Sequence, residues 1–521
     1  MAKSSTTIKP TATIDQFDAV APAKDISRPT EELVIGMVGA VGAGVSRSAA
    51  ELKTILEKDY GYSVDIVKAS ALIRENADKT ATHNPSEAGT DRIKDLQAVG
   101  TELRDKFGED YLAAKAIEKI AIQRKAGGGY DEGKQVPQPK RLRQATIIDS
   151  LKHPKETLLL RRVYGGIYWQ FTVFAPEAIR ESRLRGLGIE KDDLSGIFTR
   201  DENDKEGDHG QKVSKTAYLS DFFVRNDGEN DTRLVSTIQR YLEIGFNISV
   251  HTPTTDEAGM YAAVSAASKS ACLSRQVGAA IYSPSGELIS VGWNDVPKAQ
   301  GGLYSTENGQ HDHRCYLWGG KLCHNDRKKE ELYDKIFKKL SGEGLLAGQV
   351  DLNALRAALV KTPVKDLIEY SRSIHAEMEA IVSAGRSGKS GMVGGTLYTT
   401  TFPCHNCARH IVAAGIATVY YVEPYAKSLA LELHSDSIGT GVDDTGQRVA
   451  FLQYEGVGPD SVLKLFHHGI ERKVDGKAHI VDKKSALPVL PPPMDGFTTH
   501  EKRVIDHIES VEQKPDDLQA G

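Results

Sequence analysis

The sequence predicts an α/β protein built in two units, a parallel α/β domain followed by an α/β/α sandwich. Three observations predict it. At 521 residues the chain exceeds what one hydrophobic core serves. Near the N-terminus an apolar run, Leu33-Val34-Ile35-Gly36-Met37-Val38, meets a glycine-rich loop and then a helical stretch, the order of a buried parallel strand feeding a helix. In the C-terminal half, strand-like runs alternate with helices around His375-Ala376-Glu377 and Pro403-Cys404-His405-Asn406-Cys407.

Composition narrows the function classes. A hydrophobic content of 40% and a charged content of 26% are ordinary for a soluble globular chain. A net charge of −5 gives no general basic footprint for nucleic acid. Five cysteines, two of them inside one motif, form no disulfide framework and fit a reducing cytoplasm. No apolar run approaches membrane-spanning length, so no membrane partner is expected, and the first residues lack a signal-peptide core. Residues 1–28 read as a disordered tail. The first domain is expected over 29–248 and the second over 249–478, with a linker near 246–257. Residues 479–521 read as a proline-rich, charged and mobile tail, in which 498–511 could form a helix.

In the first domain, Gly39-Ala40-Val41-Gly42-Ala43-Gly44-Val45-Ser46 has the strand–loop–helix context of a phosphate loop. Gly39, Gly42, Gly44 and Ser46 are its candidate nucleotide-binding residues, with Ser46 where a magnesium-binding hydroxyl would stand. Val45 occupies the position of the lysine that faces the β and γ phosphates. Phosphoryl transfer is therefore disfavoured, while binding through backbone N–H groups and the helix dipole is retained. The alternative is a glycine turn that only lets a helix pack closely on a sheet. A strand at 64–67, helices at 92–107 and 111–124, and a strand at 145–149 follow; the last ends in Asp149, as a Walker-B strand ends in an acid. Next come a strand at 168–174, a lid-like stretch with Arg180, Arg183 and Arg185, a strand and Asn-Asp-Gly turn over 220–228, and a helix over 232–245. This half resembles a nucleotide-kinase fold. The basic Lys140-Arg141-Leu142-Arg143 reads as a solvated loop or as a contact to RNA or phosphate.

The C-terminal motifs carry the chemistry. One imidazole and two thiolates, His375, Cys404 and Cys407, supply three zinc ligands and leave a fourth position open for water, as a catalytic zinc site requires. Glu377 is then free to move protons. Pro403 suits a helix start, and a helix N-terminus favours thiolate over thiol. This H-x-E…P-C-x-x-C pattern is the signature of zinc deaminases. A closed zinc knuckle or a redox pair is the alternative for an isolated C-x-x-C. Around the motifs the order is a helix at 261–270, a strand–turn–strand unit over 277–292, a Gly292-Trp293-Asn294-Asp295-Val296-Pro297 turn, a helix from His375, a strand at 395–400, a helix from Cys404 and a strand at 417–422.

Residues 260–470 resemble deoxycytidylate deaminases, within the cytidine deaminase superfamily. The resemblance rests on 272–281, the Gly-Trp-Asn-x-x-Pro turn, His-Ala-Glu, Pro-Cys-x-x-Cys and Tyr425-Ala426-Lys427. It implies that Asn294 holds the deoxyribose and base, that Tyr425 packs on the base or touches the phosphate, and that Arg275 and Lys427 face the 5′-phosphate. Glu379 stands where the family usually has asparagine. The segment 298–367 is an insertion. Some relatives carry a second, structural zinc, for which Cys272, Cys315, Cys323 and His324 are the candidates here; free cysteines and a surface histidine are the alternative.

The two halves together resemble bacterial two-domain anti-phage dCTP/dCMP deaminases, a P-loop NTPase-like domain joined to a cytidine-deaminase-like domain. That resemblance implies a cytoplasmic zinc enzyme converting deoxycytidine nucleotides to deoxyuridine nucleotides. It also implies a homo-oligomer and, in some members, restraint by a small regulatory RNA. Three other readings stay open: a nucleotide kinase with a structural zinc domain, a nucleic-acid-editing deaminase, and a non-catalytic binding protein.

Overall fold

The structure, a computed structural model, describes residues 29–81, 84–131, 138–203, 210–228, 231–347, 350–425, 428–441, 446–466, 472–489 and 494–513. The tail expected at 1–28, Lys427 and the three prolines at 491–493 lie outside the described residues.

The first sheet grows from β1 (Leu33–Val38), whose six residues are all buried. β2 (Ser63–Lys68), β3 (Gln144–Leu151), β4 (Tyr168–Phe174) and β5 (Phe222–Arg225) join it in parallel in the order β5-β4-β1-β3-β2. Helices cover both faces, which is why the central strands read as unbroken apolar runs. On one face α1 (Val45–Lys58) packs Leu52, Ile55 and Leu56 into a core with Trp169, Phe171 and Phe222. On the other, α2 (Gly89–Phe107) and α3 (Tyr111–Ala126) set Leu103, Ile117 and Ile120 against Val34 and Val38. α4 (Glu177–Gly186) and α5 (Lys191–Asn203) form a small satellite core through Leu184, Leu194 and Ile197. α6 (Asp231–Gly245) closes the unit. The glycine loop leaves β1 where the strand order reverses, between β3 and β4. In open α/β sheets the crevice beyond such a switch point is the ligand-binding place.

The second unit opens with α7 (Thr255–Ala267), started by a Thr254/Glu257 capping box. β6 (Gly278–Tyr282) and β7 (Leu288–Trp293) form the expected hairpin. β8 (Thr396–Thr401) pairs antiparallel with β6 and parallel with β9 (Thr418–Glu423). β10 (Ile438–Gly439) and β11 (Val449–Gln453) extend the sheet to β10-β11-β9-β8-β6-β7. α7 covers one face through Met260 and Ala263. α8 (Ala376–Arg386) and α9 (His405–Ala413) cover the other through Ala380, Ala384, Ala408 and Ile411. Two glycines set these distances. A Cβ on Gly278 would lie 1.9 Å from the Ala263 carbonyl oxygen, and one on Gly292 would lie 2.2 Å from that of Ala376.

The units are joined by more than a linker. β12 (Gly456–Val457) crosses over and pairs antiparallel with β5, becoming an edge strand of the first sheet. Phe174 and Phe223 of the first unit share a core with Met260, Tyr398 and Tyr454 of the second. The buried Glu257 carboxylate accepts from both terminal nitrogens of Arg240 at 2.7 Å and from the Val457 amide at 2.9 Å.

Two expectations need correction. Residues 246–257 are not simply a linker: Phe246 and Ile248 are buried in the first core, because Phe246 stacks with Tyr60 and meets Trp169 edge-on. Nor is the C-terminal stretch wholly a mobile tail. α10 (Met494–Gln513) docks on the first unit and buries Phe497, Ile508 and Val511 among α2 and α3. The buried Arg124 guanidinium bonds Glu32 (2.7 Å) on one side and Glu501 of α10 (2.9 Å) on the other. Removing the arginine strands two buried carboxylates. Arg124→Met should therefore lower stability by about 3–5 kcal/mol, read as a shift of the urea unfolding midpoint.

Candidate active site

His375 and Cys404 are the N-cap residues of α8 and α9, and Cys407 lies in the first turn of α9. The two helices thus begin at one place. Both Cys404 Sγ and Cys407 Sγ lie 3.3 Å from His375 Nδ1. Among the described residues this is the group of metal-binding side chains whose donor atoms all lie within 4.8 Å of one another. Zinc–sulfur bonds of about 2.3 Å and zinc–nitrogen bonds of about 2.0 Å at a tetrahedral angle require sulfur and nitrogen roughly 3.5 Å apart. The observed spacing meets that requirement within the movement of a side chain, so the donor set fits zinc.

The two cysteines are shifted in opposite directions, and only Cys404 is favoured as a thiolate. Cys404 is held down to about 4, chiefly by its hydrogen bond with the Cys407 thiol and also by His375. Cys407 is pushed up by the same hydrogen bond and by burial. Glu377 is buried, its oxygen Oε2 lies 3.4 Å from Cys407 Sγ, and burial raises its carboxyl above the usual range. A carboxyl so placed can hold and release a proton.

His375, Glu377 and Cys404 open into a cavity of about 160 Å³. Asn294, Arg275 and Tyr425 line it. Asn294 is tied at both ends of its amide: Oδ1 accepts from the Val277 N–H at 2.7 Å and Nδ2 donates to the Arg275 carbonyl at 2.8 Å. One lone pair and one N–H therefore remain for a ligand. Arg275 is half-exposed and paired with Glu423 at the rim. Glu379, the departure from the resembled pattern, is buried and pairs with Arg386 at 3.2 Å; it is not part of the cavity wall.

Cys272, Cys315, Cys323 and His324 are neighbours rather than a formed site. Cys315 is pushed up mainly by burial, with contributions from Cys272 and Cys323, yet the four do not gather within ligand distance. The glycine-loop residues Gly39, Gly42, Gly44 and Ser46 line a separate cavity in the first unit. Sequence reasoning missed Asn325, Ser373 and Thr401, which line the deaminase cavity. Asn325 donates to the Leu367 carbonyl, and its Oδ1 is buried without a partner among the described residues. Its sequence signal is its place directly after Cys323-His324, a stretch whose pattern is dominated by metal donors.

A mixed sheet with two helix N-termini converging on a His/Cys/Cys cluster, and a buried glutamate beside it, defines a zinc-dependent hydrolase centre. Comparison gives the family. The cytidine and deoxycytidylate deaminase zinc-binding region matches residues 253–423. The chain is 32% identical over 166 residues to the deoxycytidylate deaminase of Enterobacteria phage T4, covering 31% of this chain and 73% of that protein. It is 44% identical over 64 residues to ComE operon protein 2 of Bacillus subtilis, covering 11% of this chain and 33% of that one. The dCMP deaminase of cyanophage S-TIM5, solved with dCMP and dUMP, aligns with 39% of this chain and 99% of its own at 19% identity and a TM-score of 0.23. The chain belongs to the cytidine and deoxycytidylate deaminase family.

The close approach at Gly292 gives a test of the site's geometry. Gly292→Ala should push the start of α8 outward, moving His375 and Glu377 together. A displacement of that kind costs on the order of 100-fold in turnover, and ammonia release with zinc content checks it.

Proposed function

We propose that the protein deaminates deoxycytidine nucleotides, dCTP, dCMP or both, to the deoxyuridine nucleotides. The observation that carries this reading is the three-donor cluster facing a cavity with Glu377 at its edge. Zinc held by these donors would bring the pKa of a water in the open position towards neutrality. With zinc held there, Glu377 would take one proton from the attacking water and pass it to ring N3, then take the second from the oxygen now bonded to C4 and deliver it to the departing amino group. Water is consumed, ammonia leaves, and the C4–N bond becomes a carbonyl. Asn294 orients the sugar and base through its remaining hydrogen-bonding capacity, and Tyr425 packs on the base. Arg275 turns from Glu423 to the 5′-phosphate. A free nucleotide has no stack to leave, so no base flipping is needed.

By resemblance to the two-domain anti-phage deaminases, this activity depletes the deoxycytidine nucleotide pool that a phage draws on. In the same reading the chain assembles as a homo-oligomer, and a small RNA restrains it until infection.

Purified protein with dCTP, dCMP, deoxycytidine and a cytosine oligonucleotide separates the readings. Ammonia release from one of the free nucleotides is expected; release from none of the four would end the proposal. Glu377→Ala should lose at least about 100-fold in rate while keeping its zinc, and Arg275→Ala should raise KM more than it lowers kcat.

Zinc analysis tests the metal sites. Cys404→Ala should lose one equivalent. A further equivalent that persists in Cys404→Ala and disappears in Cys315→Ala would establish the second site.

A further inference from the structure

The first unit holds a cavity of about 440 Å³ that the deaminase chemistry does not use. Its size falls within the roughly 300–1,000 Å³ of small-molecule sites. It sits at the switch point of the parallel sheet, at the C-terminal ends of β1 and β3. The glycine loop forms one wall. Gly42 and Gly44 have φ of 83° and 84°, and a Cβ on Gly44 would lie 2.2 Å from Asn226 Nδ2. The loop carbonyls are turned to side chains: Val41 O accepts from Arg180 at 3.0 Å, Gly42 O from Arg183 at 3.1 Å, and Ala43 O from Asn226 at 3.0 Å. Ser46 Oγ donates to Asp149 at 2.7 Å, the hydroxyl–carboxylate pair that phosphate loops use for magnesium.

The loop lacks its lysine, but the site does not. Lys152, just past β3, reaches the carbonyl of the first loop glycine, Gly39, at 2.8 Å. The same ammonium holds Asp201 Oδ1 at 2.8 Å, and the other oxygen of Asp201 accepts from the Val41 amide at 2.6 Å. Asp201 comes from α5 and is fully buried. A carboxylate gripped at once by a loop amide and a lysine makes contacts of the kind a phosphate oxygen makes, at the short distances of charge-assisted hydrogen bonds. Arg47, Lys68, Arg92 and Arg183 line the same cavity. Arg183 is held below the ordinary guanidinium range by burial and by neighbouring Arg47, a pairing of like charges that an anion would relieve. Deeper in, Gln97 and Gln211 are buried, and the Oε1 of each lacks a hydrogen-bond partner among the described residues. Ile93, Leu96 and Leu112 complete an apolar end. A lining that combines cationic side chains and the glycine loop with apolar wall and unsatisfied amide oxygens matches a phosphate joined to a nucleoside.

We propose that this cavity binds a nucleoside phosphate, that Lys152 supplies the charge missing from the loop, and that Asp201 is an internal phosphate surrogate which the ligand displaces. The inference does not rest on the deaminase reading, since it concerns a different cavity in a different unit. In the present form the surrogate competes with ligand, which lowers apparent affinity by the fraction of chains in which it is seated.

Calorimetry on the full-length, zinc-loaded protein tests it, with pyrophosphate, ATP and dTTP as probes, none of which carries a cytosine. The expected result is one equivalent of at least one probe per chain, at least ten-fold weaker in Lys152→Met and at least five-fold tighter in Asp201→Asn. Circular dichroism checks that each variant is folded. No binding of any probe at millimolar concentration to wild type and folded Asp201→Asn overturns the proposal, as does binding that Lys152→Met leaves unchanged. If Asp201→Asn does not fold, hydrogen exchange at the Val41 amide decides. Pyrophosphate must protect that amide in the wild type and fail to protect it in Lys152→Met; any other pattern overturns the proposal.

Discussion

Two helices that must start at the same point constrain the whole deaminase unit. α8 and α9 each present an N-terminus to one small volume, and their cap residues, His375 and Cys404, are metal donors. Aligned N-terminal dipoles favour negative charge there, so the thiolates and Glu377 sit where the backbone already supports them. Holding the helices this close requires a sheet surface with no side chains in the way. Gly292 provides it under α8, and the small Ala279 and the alanines of α8 and α9 keep the layer thin. The parallel pair β8 and β9 then fixes the register, and the Phe402 amide donates to the Glu423 carbonyl just before Cys404.

The two units differ in how they treat charge. In the deaminase cavity a buried carboxyl stands beside the candidate metal donors and is held above its ordinary range by burial. In the glycine-loop cavity a buried carboxylate is neutralised by a lysine and a backbone amide. Between them lies a common apolar layer, Phe174, Phe223, Met260, Tyr398 and Tyr454, flanked by the Arg240–Glu257 pair. The insertion after the Asn294 turn also belongs to the working part of the molecule, since Asn325 lines the deaminase cavity, as does Ser373 just beyond it.

Much of this was legible in the sequence. Buried parallel strands announce themselves as short apolar runs, and 168–174 matches β4 end for end. The His-Ala-Glu and Pro-Cys-x-x-Cys motifs pointed to the side chains that cluster, with Glu377 beside them, because few residue types can hold a metal. What stayed hidden depends on distant partners. β12 is two residues long and exists only because β5 offers an edge. Val449-Ala450-Phe451-Leu452 is a short apolar run that carries the signal of β11. A helix over 498–511 was legible, but its docking as α10 was not, because its three apolar anchors matter only beside α2 and α3. Asp201 and Lys152 carried no motif, and their meaning arises from where the fold brings them.

The partner of Arg124 lies 377 positions further along the chain, and the edge partner of β5 is also supplied from the second unit. During synthesis the first sheet therefore emerges from the ribosome with a guanidinium bound to Glu32 alone and a strand edge still open. Vectorial completion of the first unit must wait for residues translated after the deaminase, so the deaminase half is made before the glycine-loop half can be sealed.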